Sequence, residues 1–312
     1  MGDNAAGSRT ARVIGIDVGG TTIKGIVTDD KGTLLESLTV PTDAAKGKDY
    51  ILASLEQLMS ELLRLQPGVR AAGIASAGRI DARSGEVVFA TDNLPGWQGM
   101  RLVEWTRGKF GLSAAADNDA NAALLGEAWL GSGGGATDLV MLTLGTGVGG
   151  ANMIGGRIVR GARWYGGEWG HSVLVPGGRP CNCGRRGCAE QYVSGTALAR
   201  DAAGETGRPY AGGGEVLRDA ARGDEAALRL IGRFAGWLAI LIANLAIGLD
   251  PQAVIVGGGL ADSRNIWWPQ LLDRLRAEGA DIEVRPASLG NLAGCYGAAR
   301  LALALPAAAG SP

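Results

Sequence analysis

The sequence predicts an α/β protein made of two related halves with a cleft between them. Three observations predict it. The chain has 312 residues, more than the ~100–200 of one ordinary domain. Short apolar runs alternate with stretches of helical spacing. An apolar strand runs into a glycine turn twice, near residues 17 and 144. The repeat is weak by itself and would also suit two ordinary α/β units.

The elements follow in order. "RVIGIDVGG" reads as a buried strand ending in glycines, and "TIKGIVTDDKGTLLESLTV" continues as strands around an Asp30-Lys31-Gly32 turn. Ile51, Leu52, Leu55, Leu58, Met59, Leu62 and Leu63 recur at helical spacing. "AAGIASAG" is a short strand. "DNDANAALLGEAWL" opens with capping residues, which places a helix start near Asn118 and Asp119. The second half begins with the strand "DLVMLTLGTGVGG", then a hairpin at Gly155-Gly156. The apolar run at 234–249 is shorter than the ~20 residues of a spanning helix. It reads as a core helix stopped by Asp250-Pro251. "AVIVGGGL" is a third strand ending in glycines, and helices close the chain around 267–277 and 293–305.

Composition narrows the function. The net charge of −1 offers no basic field for nucleic acid or an anionic membrane. Four cysteines in a chain this long make no secreted disulfide framework. "MGDNAAGSRTA" lacks an apolar signal core, so the expected location is the cytoplasm. Glycine is the oddity: 53 residues, more than twice the average share of ~7%. The glycines gather at the ends of apolar runs, where a backbone turns sharply or approaches a ligand.

In "DVGGTTIK", Gly19 and Gly20 let backbone N–H groups approach an anion, and Thr21 and Thr22 add hydroxyls. Asp17 could orient a magnesium-bound water. "LGTGVGG" repeats the logic with Gly145, Thr146 and Gly147, and "VGGG" brings Gly258 and Gly259 to a third strand end. Glycine turns after strands are common, so each is weak alone. None has P-loop or dinucleotide spacing.

"GHSVLVPGGRPCNCGRRGC" holds the chain's one histidine, His171, and three cysteines, Cys181, Cys183 and Cys188. Three thiolates and an imidazole fill a tetrahedral zinc site and leave no place for water, so the zinc is structural. The other reading is free cysteines on a loop. Cys295 lies in an apolar stretch and reads as core. Glu168 and Glu190 flank the segment and suit the hydroxyls of a polyol, or are solvated surface charges. The other ring nitrogen of His171 could also reach a substrate. At the start of "DNDANAALLGE", Asp117, Asn118, Asp119 and Asn121 crowd together. A helix start keeps an aspartate ionised, ready to take a hydroxyl proton during phosphoryl transfer. Capping explains one of these four residues.

Taken together the segments resemble the ROK family (repressors, open reading frames, kinases) of the actin-like superfamily, over about residues 12–305. The zinc segment at 166–195 carries most of the resemblance, with "DVGGTTIK", "TDNLPGW", "DNDANAALLGE", "LGTGVGGANMIGGRIVRGA" and "IVGGGL" following the family's order. The resemblance implies two actin-like (ribonuclease H-like) domains. One is a smaller domain at 1–118, joined by the C-terminal helix at about 297–312, and the other a larger domain at 119–296. It implies a kinase acting on the 6-hydroxyl of a hexose, with ATP, Mg²⁺ and structural zinc. Asp119 matches the catalytic base. Gly78, Asn93, Asn118, Glu168, His171 and Glu190 match sugar contacts. Asp17, Gly19, Gly20, Thr21, Thr22, Lys24, Gly145, Thr146 and Gly147 match phosphate turns, and Gly258 and Gly259 the adenosine motif.

"CAEQYVSGTAL" is similar to the glucokinase branch, with N-acetylmannosamine and N-acetylglucosamine kinases as the alternative. A sugar-responsive repressor would carry a helix-turn-helix, for which the roughly ten residues before the first strand are too few. A sensor without catalysis would not need Asp119. Asn291 stands where the resemblance leads one to expect an acidic residue. Homodimers or higher homo-oligomers are expected from the family, and Trp267-Trp268 suits either an interface or a buried helix.

Overall fold

The computed structural model describes residues 11–91 and 93–306. The stretch 1–10, read above for an export signal, and the end of the expected 297–312 helix lie outside them. The chain divides into two compact units. Unit 1 is Met1–Leu130 with Leu292–Pro312, and unit 2 is Gly131–Asn291.

Unit 1 holds β1 (Arg12–Val18), β2 (Thr22–Thr28), β3 (Leu34–Pro41), α1 (Lys48–Leu65), β4 (Val69–Ser76), β5 (Arg79–Asp81), β6 (Glu86–Phe89), α2 (Leu102–Phe110), β7 (Ser113–Asn118) and α3 (Asp119–Leu130). Its main sheet runs β3-β2-β1-β4-β7, with β4 and β7 parallel to β1 and the first three strands antiparallel. The apolar stripe of α1 buries Ile51, Leu55, Leu58, Met59 and Leu62 in the core on one side of the sheet.

A C-terminal helix, Ala293–Leu303, packs on β1 and β4 and along α3. Sheet and helix meet backbone to backbone. Gly15 and Gly73 are register partners on β1 and β4. A Cβ on Gly73 would overlap the Ala298 carbonyl, and one on Gly15 the Cys295 carbonyl. Helix meets helix in the same way at Gly297, where a Cβ would overlap the Ala122 carbonyl. This packing carries α3 into unit 1, so the boundary falls after Leu130, where the sequence places it between 118 and 119.

Unit 2 repeats the plan with β8 (Leu139–Leu144), β9 (Val148–Ile154), β10 (Arg157–Ile158), α4 (Glu190–Val193), α5 (Gly195–Thr206), α6 (Gly213–Ala221), α7 (Glu225–Leu249), β11 (Ala253–Gly257), α8 (Arg264–Ala277) and β12 (Val284–Pro286). Its sheet runs β10-β9-β8-β11-β12, with the same pattern of parallel and antiparallel neighbours. The recurrence of strand and glycine turn in the sequence is therefore a recurrence of topology. Helix α7 has 25 residues and is apolar enough to cross a membrane by length and composition. One face of it, including Leu230, Phe234, Leu238 and Leu245, belongs to the core of unit 2. Asp250 ends it in the left-handed region, as Asp250-Pro251 predicts. Trp267 is fully buried in that core and donates from Nε1 to the Leu260 carbonyl at 3.0 Å, which is the buried-helix reading of the Trp267-Trp268 pair.

Gly73→Ala is expected to lower stability by about 2–4 kcal/mol, because the new methyl has no room. Gly108→Ala in α2 meets no atom within 4 Å and is expected to stabilise by up to about 1 kcal/mol through helix propensity. Urea unfolding of both variants checks the contrast.

Candidate active site

In unit 1 the glycine turn joins β1 to β2. The Gly19 N–H donates to the Thr22 carbonyl at 3.1 Å, so that donor closes the turn. The Thr42 hydroxyl donates to the Gly19 carbonyl at 2.6 Å and the Thr42 N–H to the Thr21 carbonyl at 2.9 Å. Thr42 carries no motif and escapes a sequence reading. Gly20 lies against the backbone of Asn93, where a Cβ would be 3.2 Å from its carbonyl oxygen. Gly20, Thr21 and Asn93 are exposed.

Asp17 sits at the end of β1, paired in register with Lys24. Burial pushes its carboxyl up to about 6, against the pull of Lys24. Gly294 makes room for this carboxylate, since a Cβ there would be 2.8 Å from Asp17 Oδ2. A carboxylate whose charge is so poorly compensated fits a magnesium ion, which takes few carboxylates and keeps waters and phosphates.

The "DNDAN" cluster resolves into separate tasks. Asp117 is fully buried, and its Oδ1 accepts from Asn121 Nδ2 at 2.9 Å. Asn118 caps α3, with Oδ1 accepting from the N–H groups of Ala120 at 2.9 Å and Asn121 at 3.1 Å. Its Nδ2 donates to the Gly78 carbonyl at 2.9 Å and to Asp119 Oδ1 at 2.8 Å. Asp119 Oδ1 also accepts the Ala120 N–H at 2.8 Å. Asp119 is thus a half-buried carboxylate oriented by two donors at a helix start. The structure brings Gly78, Asn118 and Asp119 together.

In unit 2 the turn between β8 and β9 is held from three sides. The Gly145 N–H donates to the Gly147 carbonyl at 3.0 Å, and the Gly195 N–H at the start of α5 donates to the Gly145 carbonyl at 2.7 Å. The Thr196 hydroxyl donates to the Thr146 carbonyl at 2.8 Å. From α4, Glu190 Oε2 accepts the Val148 N–H at 2.9 Å. It reaches that N–H only because position 147 is glycine; a Cβ there would occupy the place of Oε2. A cavity of about 670 Å³ opens beside the turn, lined by Gly145, Thr146, Arg200, Tyr210 and Gly259 among others. Arg200 and Tyr210 belong to no motif seen in the sequence. Gly258 follows the last residue of β11, Gly257, and precedes Gly259.

Glu168 immediately precedes a 3₁₀ turn, Trp169–His171, and its carbonyl accepts the His171 N–H at 3.0 Å. That turn is pinned to β9 by Trp169 Nε1 donating to the buried Asn152 Oδ1 at 2.7 Å. Glu168 and His171 line a second cavity of about 640 Å³. The ligand atoms of His171, Cys181, Cys183 and Cys188 lie within 4.8 Å of one another. Cys183 and Cys188 sulfurs are 3.5 Å apart, and Cys181 Sγ lies 3.7 Å from His171 Nδ1. A tetrahedron with metal–sulfur bonds of ~2.3 Å has edges of about 3.8 Å. The group could bind a metal, and Nδ1 of His171 faces it. Cys295 is fully buried in the C-terminal helix, as core.

The ROK family model matches residues 13–304. A glucokinase of Streptomyces coelicolor is 36% identical over 317 residues, covering 93% of this chain and 96% of its own. An N-acetylmannosamine kinase of Escherichia fergusonii is 35% identical over 252 residues, covering 80% and 84%. The crystal structure of a ROK family glucokinase from Streptomyces griseus with glucose and AMPPNP is 33% identical, with a TM-score of 0.81 over 94% of this chain and 99% of that one.

Asp17 supplies a pH test. Between the unfolded value of 3.8 and the folded value of about 6, the folded chain holds a proton that the unfolded chain has lost. Stability therefore falls as pH rises through that window. Asp17→Asn is expected to be more stable than the parent at pH 8, by roughly 1–3 kcal/mol. The gain should disappear below pH ~4. Urea unfolding at both pH values measures it.

Proposed function

The chain belongs to the ROK family, and from that premise we propose that it is an ATP-dependent hexose kinase that phosphorylates the 6-hydroxyl of glucose. The observation that carries the reading is Asp119, held at the start of α3 by Asn118 and the Ala120 N–H, in a chain this similar to a glucokinase crystallised with glucose and AMPPNP.

In this reading Asp119 accepts the proton of the 6-hydroxyl as that oxygen attacks the γ-phosphorus. The bond from the γ-phosphorus to the bridging oxygen breaks, and ADP leaves with both electrons of that bond. The two hydrogen bonds to Asp119 Oδ1 fix the carboxylate for the proton it takes. Glu168, Glu190 and His171 Nε2 hold sugar hydroxyls, the carboxylates as acceptors. Thr21, Thr22, Thr146 and the glycine turns face phosphate, and the cavity beside Thr146 takes the nucleoside. The sulfur and nitrogen donors select zinc, held by His171, Cys181, Cys183 and Cys188. Zinc there would supply rigidity and magnesium near Asp17 would supply positive charge to the phosphates.

A second reading keeps the mechanism and changes the sugar. The similarity to an N-acetylmannosamine kinase favours a pocket that takes an acetamide at the 2-position. An ADP-release assay with ATP–Mg²⁺ and glucose, mannose, N-acetylglucosamine and N-acetylmannosamine decides between them. Preference for glucose supports the first, preference for an N-acetyl sugar the second, and no turnover on any sugar removes the kinase reading.

Asp119→Asn is expected to lower kcat by about 10²–10⁴ while glucose binding, measured by calorimetry, stays near that of the parent. Unchanged turnover would take the base role from Asp119. Cys183→Ser is expected to lose zinc and glucose affinity together; metal loss with normal glucose binding would break the link between the loop and the sugar.

A further inference from the structure

Arg179 lies in the metal loop, two residues before Cys181. Its own carbonyl accepts the N–H of Gly187, the neighbour of Cys188, at 2.7 Å. Its N–H donates to the Tyr192 hydroxyl at 2.9 Å. Its guanidinium Nη1 donates to the Gln191 carbonyl at 2.9 Å and to Asp201 Oδ2 at 3.0 Å. The loop that carries the metal ligands is therefore tied to α4 and α5 by one side chain.

The same two partners hold a second guanidinium. Arg200 donates from Nε to Asp201 Oδ1 at 3.3 Å, from Nη1 to Gln191 Oε1 at 2.9 Å and from Nη2 to the Gln191 carbonyl at 2.6 Å. Arg200 lines the 670 Å³ cavity with Thr196 and Ala199 of the same helix and with Thr146 of the glycine turn. Asp201 thus gives one carboxylate oxygen to the metal loop and the other to the cavity wall. Gln191 follows Glu190, the residue that fixes the Val148 N–H of that turn.

We propose that metal binding at the cysteine loop and nucleotide binding in this cavity are energetically coupled through the Arg179–Asp201/Gln191–Arg200 clamp. The proposal rests on reading the cavity as the nucleotide site. Around Arg179 the loop packs Leu174 and Val175 against the core, and a metal held by its four ligands would order the rest. When the loop is ordered, Arg179 is in place to bind Asp201 and Gln191, and these in turn hold Arg200 in the wall. When it is not, the wall must be ordered by the nucleotide alone. A ligand that orders a shared element makes the next one bind more tightly, and the effect is the same in both directions. The side chains of Arg179, Asp201 and Arg200 are 38%, 21% and 42% exposed, so solvent weakens the clamp and the coupling is modest, about three- to tenfold. Arg179 and Asp201 are positioning residues, since they act on the cavity through Arg200.

The test uses the full chain. Calorimetry gives the affinity of AMPPNP–Mg²⁺ for zinc-loaded and zinc-stripped protein, and competition with a chromophoric chelator gives zinc affinity with and without AMPPNP. Both are expected to change by the same factor. Asp201→Asn keeps the shape and removes the shared charge, and should bring both factors close to one. Arg179→Lys, which keeps the charge and loses the fork, should fall between. If stripping unfolds the loop, the rate of zinc release from the holoprotein to the chelator replaces the stripped arm, and AMPPNP should slow it. Equal affinities in both metal states, an unchanged release rate, or a factor that survives Asp201→Asn overturns the clamp. If a sugar is turned over with a factor of one, the coupling alone falls; if AMPPNP does not bind the zinc-loaded protein, the cavity assignment falls with it.

Discussion

Both units depend on close approaches to the backbone that only a missing Cβ allows. In unit 1 the C-terminal helix lies directly on β1 and β4 because Gly15 and Gly73 present no Cβ to it. In unit 2 Glu190 reaches the Val148 N–H because Gly147 presents none. Close approach of this kind trades conformational freedom of the unfolded chain for van der Waals contact and polar bonds at short range. It also explains where the glycines go. They mark the places where a strand end must admit a helix, a carboxylate or a turn.

The polar residues at the start of α3 show how one local signal divides into structure and function. Asp117 and Asn121 answer each other in the interior, and Asn118 caps the helix. Buried polar groups need such partners. Asp119 is held as well, but half-buried and at the helix start, where the helix dipole favours a negative charge. Asp17 is the opposite case. Its burial raises it to about 6, a cost that a bound cation would offset. Burial and hydrogen-bond partners thus set the two aspartates apart, where their sequence neighbours do not.

What was legible in the sequence was local. The spacing of His171, Cys181, Cys183 and Cys188 anticipates four ligand atoms within 4.8 Å, because a short glycine-rich loop can only fold back on itself. Strand ends were legible because apolar runs stop abruptly at glycine, and the Asp30-Lys31-Gly32 and Gly155-Gly156 turns join β2 to β3 and β9 to β10. What was not legible spans distance. Thr42 bonds to Gly19 across 23 residues and Trp169 to Asn152 across 17. No periodicity connects such pairs; the register of the strands does. Arg200 and Tyr210 join Gly145 in one cavity for the same reason. The domain boundary moved to Leu130 because glycine contacts between α3 and a helix more than 160 residues later decide it.

The glycine turns themselves carry the last step. The sequence suggests that Gly19 and Gly20 let backbone N–H groups approach an anion. The Gly19 and Gly145 N–H groups instead close their own turns, through the carbonyls of Thr22 and Gly147. The two turns sit at matching places in sheets of the same topology, and each first glycine makes the same kind of bond. A turn that is internally bonded keeps its shape without a ligand, so its hydroxyls and remaining backbone are already placed. Preorganisation of this kind lowers the ordering cost of binding a charged group.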